Sequence, residues 1–173
     1  MKPTPPAVRL RFVFLDWGDT LMAERGGPDD VPMAFWPEVR AIEGAAETLA
    51  LLASRYTLAI ATNASVSRKD DIRRALTRVG LAGCIAHIFC YTELGRRKDE
   101  PEFWEAALNQ LEAGRAEVVM VGDSLEQDVL APRRFGIRSV WFNWKNQSAP
   151  GQPIAPVIHH LSELPALLDQ LPA

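Results

Sequence analysis

The chain has 173 residues, of which 47% are hydrophobic and 24% charged, with a net charge of −3. These values are ordinary for a soluble globular domain with a sizeable core. The slight negative charge exerts no general pull toward nucleic acid or an anionic membrane, so any site for a phosphorylated ligand must be local and preorganised.

The start, Met1-Lys2-Pro3-Thr4-Pro5-Pro6, is too proline-rich for a helix and does not read as a signal peptide. Cys84 and Cys90 lie in apolar stretches without zinc-type spacing, which predicts reduced core thiols and a cytoplasmic location. We divide the chain into a tail over 1–10 and a single domain over 11–173, with a flap over 22–42.

Arg11 to Leu15 is a β-favouring apolar run that stops at Asp16. Nearly continuous apolarity suits a strand buried on both faces of a parallel sheet. Trp17-Gly18-Asp19-Thr20 is turn chemistry, and Met22 to Pro37 is irregular, ending in the bulky Met33, Phe35 and Trp36. Glu43 to Ser54 carries apolar residues at helical spacing. Tyr56 to Ala61 predicts a second strand, closed by Thr62-Asn63, and Ser67 to Val79 a helix with Gly80 as its C-cap. His87 to Tyr91 predicts a third strand, Glu102 to Leu111 a helix, and Glu117 to Val121 a fourth strand that ends at Gly122-Asp123. Val129 to Phe135 reads as a short helix because of Pro132. Arg138 to Phe142 predicts a fifth strand, Asn143 to Pro153 a loop, Pro156 to Ile158 an edge strand, and Ser162 to Leu171 a closing helix.

Strands alternating with helices imply βαβ units: an α/β, three-layer, doubly wound and mostly parallel sheet. Ligands bind such sheets at the carboxyl ends of the strands. The polar residues there are Asp16, Thr62 and Asp123. Two carboxylates brought together need a cation between them or a proton on one. Mg²⁺, which prefers oxygen ligands and keeps water and phosphate in its shell, meets that need. Lys98 offers a compact cation for a phosphoryl oxygen and for Asp16, and Asp128, five residues after Asp123, can turn back toward the same place.

The order of these groups resembles the haloacid dehalogenase superfamily. Phe12-Val13-Phe14-Leu15-Asp16-Trp17-Gly18-Asp19-Thr20-Leu21 is similar to its first motif, and Leu58-Ala59-Ile60-Ala61-Thr62-Asn63 to its second. Lys98 followed by Pro101 and Phe103 is similar to the third, and Val119-Met120-Val121-Gly122-Asp123-Ser124-Leu125-Glu126-Gln127-Asp128 to the fourth. The resemblance implies a Rossmann-like core and a Mg²⁺-dependent phosphatase with Asp16 as nucleophile. By the same resemblance Asp16, the Gly18 carbonyl and Asp123 hold the metal. Thr62, Asn63 and Lys98 hold the transferring phosphoryl group, with Asp128 and Ser124 supporting the site from behind. Asp16 would form an aspartyl-phosphate that water hydrolyses.

One position departs from the pattern. The residue two after the nucleophile, the usual acid and base of the family, is Gly18, and an Asp follows one place later as Asp19. Asp19 is therefore either a relocated acid or an acid that stabilises the turn, and turnover is expected to be slow. The dehalogenase branch, which lacks the metal, carries an aromatic residue at that place, but Gly122-Asp123-Ser124 retains the metal carboxylate. The phosphonatase branch draws a lysine from a cap domain, and the segment from Met22 to Glu43 is too short for a helical cap. A capless site admits large or extended phosphorylated substrates or is completed by a second copy of the chain, and Met33, Phe35 and Trp36 are either its wall or a flap packed on its own core. The rival expectation is a non-catalytic domain that binds Mg²⁺ and phosphate.

Overall fold

The computed structural model of the protein describes residues 9–148, 151 and 154–171. Most of the predicted tail over 1–10 lies outside these residues, and Leu10 already packs against the core. Six parallel strands form one sheet in the order β3-β2-β1-β4-β5-β6. The strands are β1 (Phe12–Leu15), β2 (Thr57–Thr62), β3 (His87–Cys90), β4 (Val118–Gly122), β5 (Arg138–Phe142) and β6 (Val157–Ile158). All are within about two residues of the sequence expectation, because each is an apolar run cut off by a polar or turn residue.

Strand alternation separates two cores. Val13, Leu15, Leu58, Ile60, Val119 and Val121 face one layer. There they meet α1 (Ala45–Ala53), α2 (Lys69–Arg78), α6 (Leu164–Gln170) and the flap. Phe12, Phe14, Ala59, Ala61, Val118 and Met120 face the other, which is covered by α4 (Pro101–Leu111) through Phe103, Trp104 and Ala107. The small Ala59 and Ala61 leave room for an aromatic stack: Phe14 lies 5.6 Å from Phe89 and 5.5 Å, edge-on, from Trp104. Offset and edge-to-face geometry is the favoured arrangement of such rings.

Two elements differ from expectation. The segment after β3 coils immediately into a single turn, α3 (Tyr91–Leu94), closed by Gly95 at φ 64°. The helix expected to begin near Val129 begins instead at Leu125, as a wide π-type turn over Leu125–Leu130 that runs into α5 (Ala131–Arg134). Ser124 caps that start by accepting the Gln127 N–H. Pro132 sits in the first turn of α5, where a missing N–H does least harm.

The chain lays down β1, β2 and β3 to one side and β4, β5 and β6 to the other, so the winding reverses between β1 and β4. Their register sets Leu15 beside Val121, which brings the residues that follow, Asp16 and Asp123, to one edge. Between β1 and α1 the chain forms a flap with a single 3-10 turn at Met33–Phe35. Arg78 of α2 pins it by donating to the carbonyls of Ala34, Trp36 and Pro37. Met33 and Trp36 are buried in the core, and Phe35 is exposed under the Arg74 guanidinium. Among the described residues no helix is long and apolar enough to cross a membrane.

Candidate active site

The groups predicted from the four motifs converge. Asp16 is held at the end of β1 by its N–H to the Val121 carbonyl, 2.9 Å away. Its Oδ1 lies 2.5 Å from Lys98 Nζ, and the same ammonium lies 2.6 Å from Asp128 Oδ1. Lys98 is 1% exposed and Asp128 is fully buried, while Asp16, the third member of this ion triad, opens onto the cleft. Burial works against the Lys98 charge, but Asp128 and Asp16 outweigh it and hold the ammonium above its ordinary pKa. Burial pushes Asp16 up to about 6 against the pull of Lys98, and raises Asp128 in the same way.

The triad is braced from several strands. Asn63 accepts the Lys98 N–H at 2.8 Å and donates to Gln127 at 3.0 Å, so its side chain fixes the Lys98 loop as well as lining the cleft. Trp104 donates its indole N–H to the Lys98 carbonyl at 2.8 Å. Asp128 Oδ2 accepts the Ser124 N–H at 2.9 Å. Asp128 thus binds Lys98 directly instead of only supporting the site from behind. A Cβ on Gly122 would lie 2.3 Å from the Asp128 carboxyl, so glycine there lets Asp128 press against the strand end.

Asp123 and Asp19 form a second, wetter group. Lys145 Nζ lies 2.8 Å from Asp19 Oδ2 and 2.9 Å from Asp123 Oδ2. Trp141 donates to the Asp123 carbonyl, and Thr20 Oγ1 accepts the Asp123 N–H at 3.2 Å while reaching Asp16 Oδ2 at 3.4 Å. Thr62 is buried beside this edge, its Oγ1 accepting the Ala64 N–H at 3.1 Å. Asp19 adopts the left-handed backbone, φ 52°, and its Oδ1 accepts the Glu24 N–H at 3.0 Å. The Asp19 carboxyl thus bonds one oxygen to the backbone beyond its turn and the other to Lys145. Lost hydration opposes ionisation of Asp19, but Lys145 and the Glu24 amide hold it below its ordinary value.

An open cleft of about 470 Å³ covers these groups, lined among others by Asp16, Gly18, Glu24, Thr62, Asn63 and Asp123. Met33 and Trp36 also line it, so the flap is both wall and core. Glu24 stands at the exposed rim, yet lost hydration around its carboxyl, and then repulsion from Asp16, Asp19 and Asp123, push it above its ordinary value. Glu24 and Lys145 escape sequence reasoning, because neither belongs to a spaced motif and both reach the site from loops. Thr20 was visible only as part of the first motif.

The carboxylate oxygens of Asp16, Asp123 and Asp128 come within 4.8 Å of one another, a donor set suited to a hard divalent ion. Asp128 uses both oxygens on Lys98 and Ser124. Asp16 and Asp123 keep one oxygen each without a strong partner among the described residues, so these two fit the metal best.

A parallel sheet with acids at its switch point is shared by many hydrolases, and the match of this chain is specific. A family model described as haloacid dehalogenase-like hydrolase matches residues 33–142, and the chain belongs to that family. Its relatives include phosphatases. The pyrimidine 5'-nucleotidase YjjG of Escherichia coli (strain K12) is 28% identical over 159 residues, covering 90% of this chain and 69% of the relative. The chain spans about half the length of the further curated phosphatases that it matches. Among solved structures, an uncharacterized protein from Listeria monocytogenes serotype 4b superposes with a TM-score of 0.82 at 26% identity, over 94% of this chain and 100% of that one. The magnesium-bound HAD-hydrolase YfnB of Bacillus subtilis shares the fold, with a TM-score of 0.74 at 17% identity over 93% and 99% of the two chains.

Proposed function

We propose that the protein is a cytoplasmic, Mg²⁺-dependent phosphatase that hydrolyses phosphomonoesters through an aspartyl-phosphate on Asp16. One observation carries this reading: the Asp16 carboxyl opens into the cleft while its Oδ1 is fixed 2.5 Å from an ammonium that is itself locked by Asp128. A carboxylate so oriented is preorganised to attack, and the charge beside it offsets the charge of the incoming phosphoryl group. The nucleotidase relative supports a phosphomonoester as substrate. Asp16, Asp123 and the Gly18 carbonyl would hold Mg²⁺, which when bound neutralises charge on the phosphoryl oxygens. Thr62 and Lys98 orient the transferring group. The two free thiols suit a reducing compartment.

The test is hydrolysis of p-nitrophenyl phosphate and a panel of phosphate esters, with Mg²⁺ and with a chelator. Turnover should require Mg²⁺, and Asp16→Asn should abolish it. Clear Mg²⁺ binding without turnover on any ester would leave the non-catalytic reading in its place.

A further inference from the structure

Positions 18 and 24 compete for one volume. A Cβ built on Gly18 would lie 1.9 Å from Glu24 Oε1, 2.2 Å from its Cδ and 2.8 Å from its Cγ. Gly18 is not among the glycines with positive φ, so its backbone does not demand glycine. The Glu24 carboxyl lies where a side chain two residues beyond the nucleophile would begin.

Glu24 is set there by a short chain of constraints. Its N–H donates to Asp19, whose own N–H donates to the Met22 carbonyl at 2.7 Å. Ala23 donates to the Arg40 carbonyl, and Met22 bridges both Gly18 and Ala41. The displaced acid of the turn thus serves as the anchor of Glu24. Among the described residues nothing donates a hydrogen bond to the Glu24 carboxyl, which lies over Gly18 in the cleft that Asp16 also lines. The carboxyls of Asp16, Asp128, Asp19 and Asp123 are engaged by Lys98 or Lys145.

We propose that Glu24 is the catalytic acid and base of this site, supplied by the flap in place of a side chain at position 18. The proposal rests on the phosphatase reading and on position. An Asp16 oxygen bonds to phosphorus as the bond to the leaving oxygen breaks. Glu24 gives its proton to that oxygen, and the alcohol departs. Water then attacks the phosphorus of the aspartyl-phosphate and yields a proton to the Glu24 carboxylate. Asp16 leaves with the electron pair of its bond to phosphorus, and both side chains and free phosphate are restored. A group in this role is worth about 10²–10⁴-fold.

The experiment compares the wild type with Glu24→Gln on an alkyl phosphate and on p-nitrophenyl phosphate, whose leaving oxygen needs no proton. Glu24→Gln should lose about 10²-fold or more on the alkyl ester. With p-nitrophenyl phosphate it should accumulate phosphorylated Asp16, seen as a phosphate adduct by intact mass after acid quench. Gly18→Asp combined with Glu24→Ala should recover about tenfold over Glu24→Ala alone, because a carboxyl regains the shared volume. Glu24 is exposed, so its single variants should melt close to the wild type. A Glu24→Gln enzyme as fast as the wild type on the alkyl ester, with no adduct, overturns this proposal alone. A wild type that neither turns over nor becomes phosphorylated removes the phosphatase reading and this proposal with it.

Discussion

Two lysines face the carboxylates at this sheet edge, and they are held in opposite ways. Lys98 is buried with Asp16 and Asp128, its loop is tied down by Asn63 and Trp104, and its side chain is only 1% exposed. Lys145 comes from a loop after β5 and spans Asp19 and Asp123 with a side chain that is 35% exposed. One cation is part of the core and the other is a counterion at its surface. Lys98 is rigid because removing it would strand two buried carboxylates. Lys145 is replaceable because water can take over most of its work.

The largest expected effect is on the buried side. Lys98→Met should cost about 3–5 kcal/mol, since breaking a buried ion set leaves uncompensated charge. For a chain of this size that lowers Tm by roughly 10 °C. Adding Asp128→Asn should restore part of the loss, since it removes one orphaned charge. A calorimetric scan of Lys98→Met that overlays the wild type would erase the distinction between the two lysines.

Next comes Gly122→Ala, which tests how firmly Asp128 is seated. The new methyl would lie 2.3 Å from a carboxyl that Lys98 and Ser124 lock in place, so the carboxyl cannot swing away freely. Overpacking of this kind costs about 1–3 kcal/mol. Denaturant unfolding should show it, and a midpoint equal to the wild type would mean that the triad is looser than its distances imply.

The smallest expected effect is on the exposed side. Lys145→Met should change stability by no more than about 1 kcal/mol. It should also tighten Mg²⁺ binding about fivefold, because one positive charge leaves the vicinity of Asp123. Isothermal titration with Mg²⁺ checks this, and weaker binding would show that Lys145 assembles the cation site instead of competing with it.

Much of the buried side was legible in the sequence. Asp16 and Thr62 each close a strand whose apolar run is plain, as Asp123 does at the border of the two sides. A parallel sheet must deliver strand ends to one edge, and Lys98 was marked by the third motif. Asp128 was legible as a group that turns back, but its direct bond to Lys98 was not. That bond depends on the wide turn over Leu125–Leu130, which the pattern of apolar residues does not distinguish from an ordinary helix. The exposed side was hardly legible at all. The acid at 19 stood out as misplaced, but its use as an anchor for Glu24 follows from a left-handed backbone at Asp19 and a hydrogen bond five residues away.

What the sequence determined by itself is the layer order and the edge at which the chemistry gathers, because short-range apolar patterning encodes strands and their ends. What only the tertiary structure decided is which groups fill the space around Asp16. Glu24 lies over Gly18 and Lys145 reaches Asp123 through contacts between loops, and loop side chains obey no period that a sequence displays. A glycine read alone shows only a missing side chain. The fold shows which neighbour takes its room.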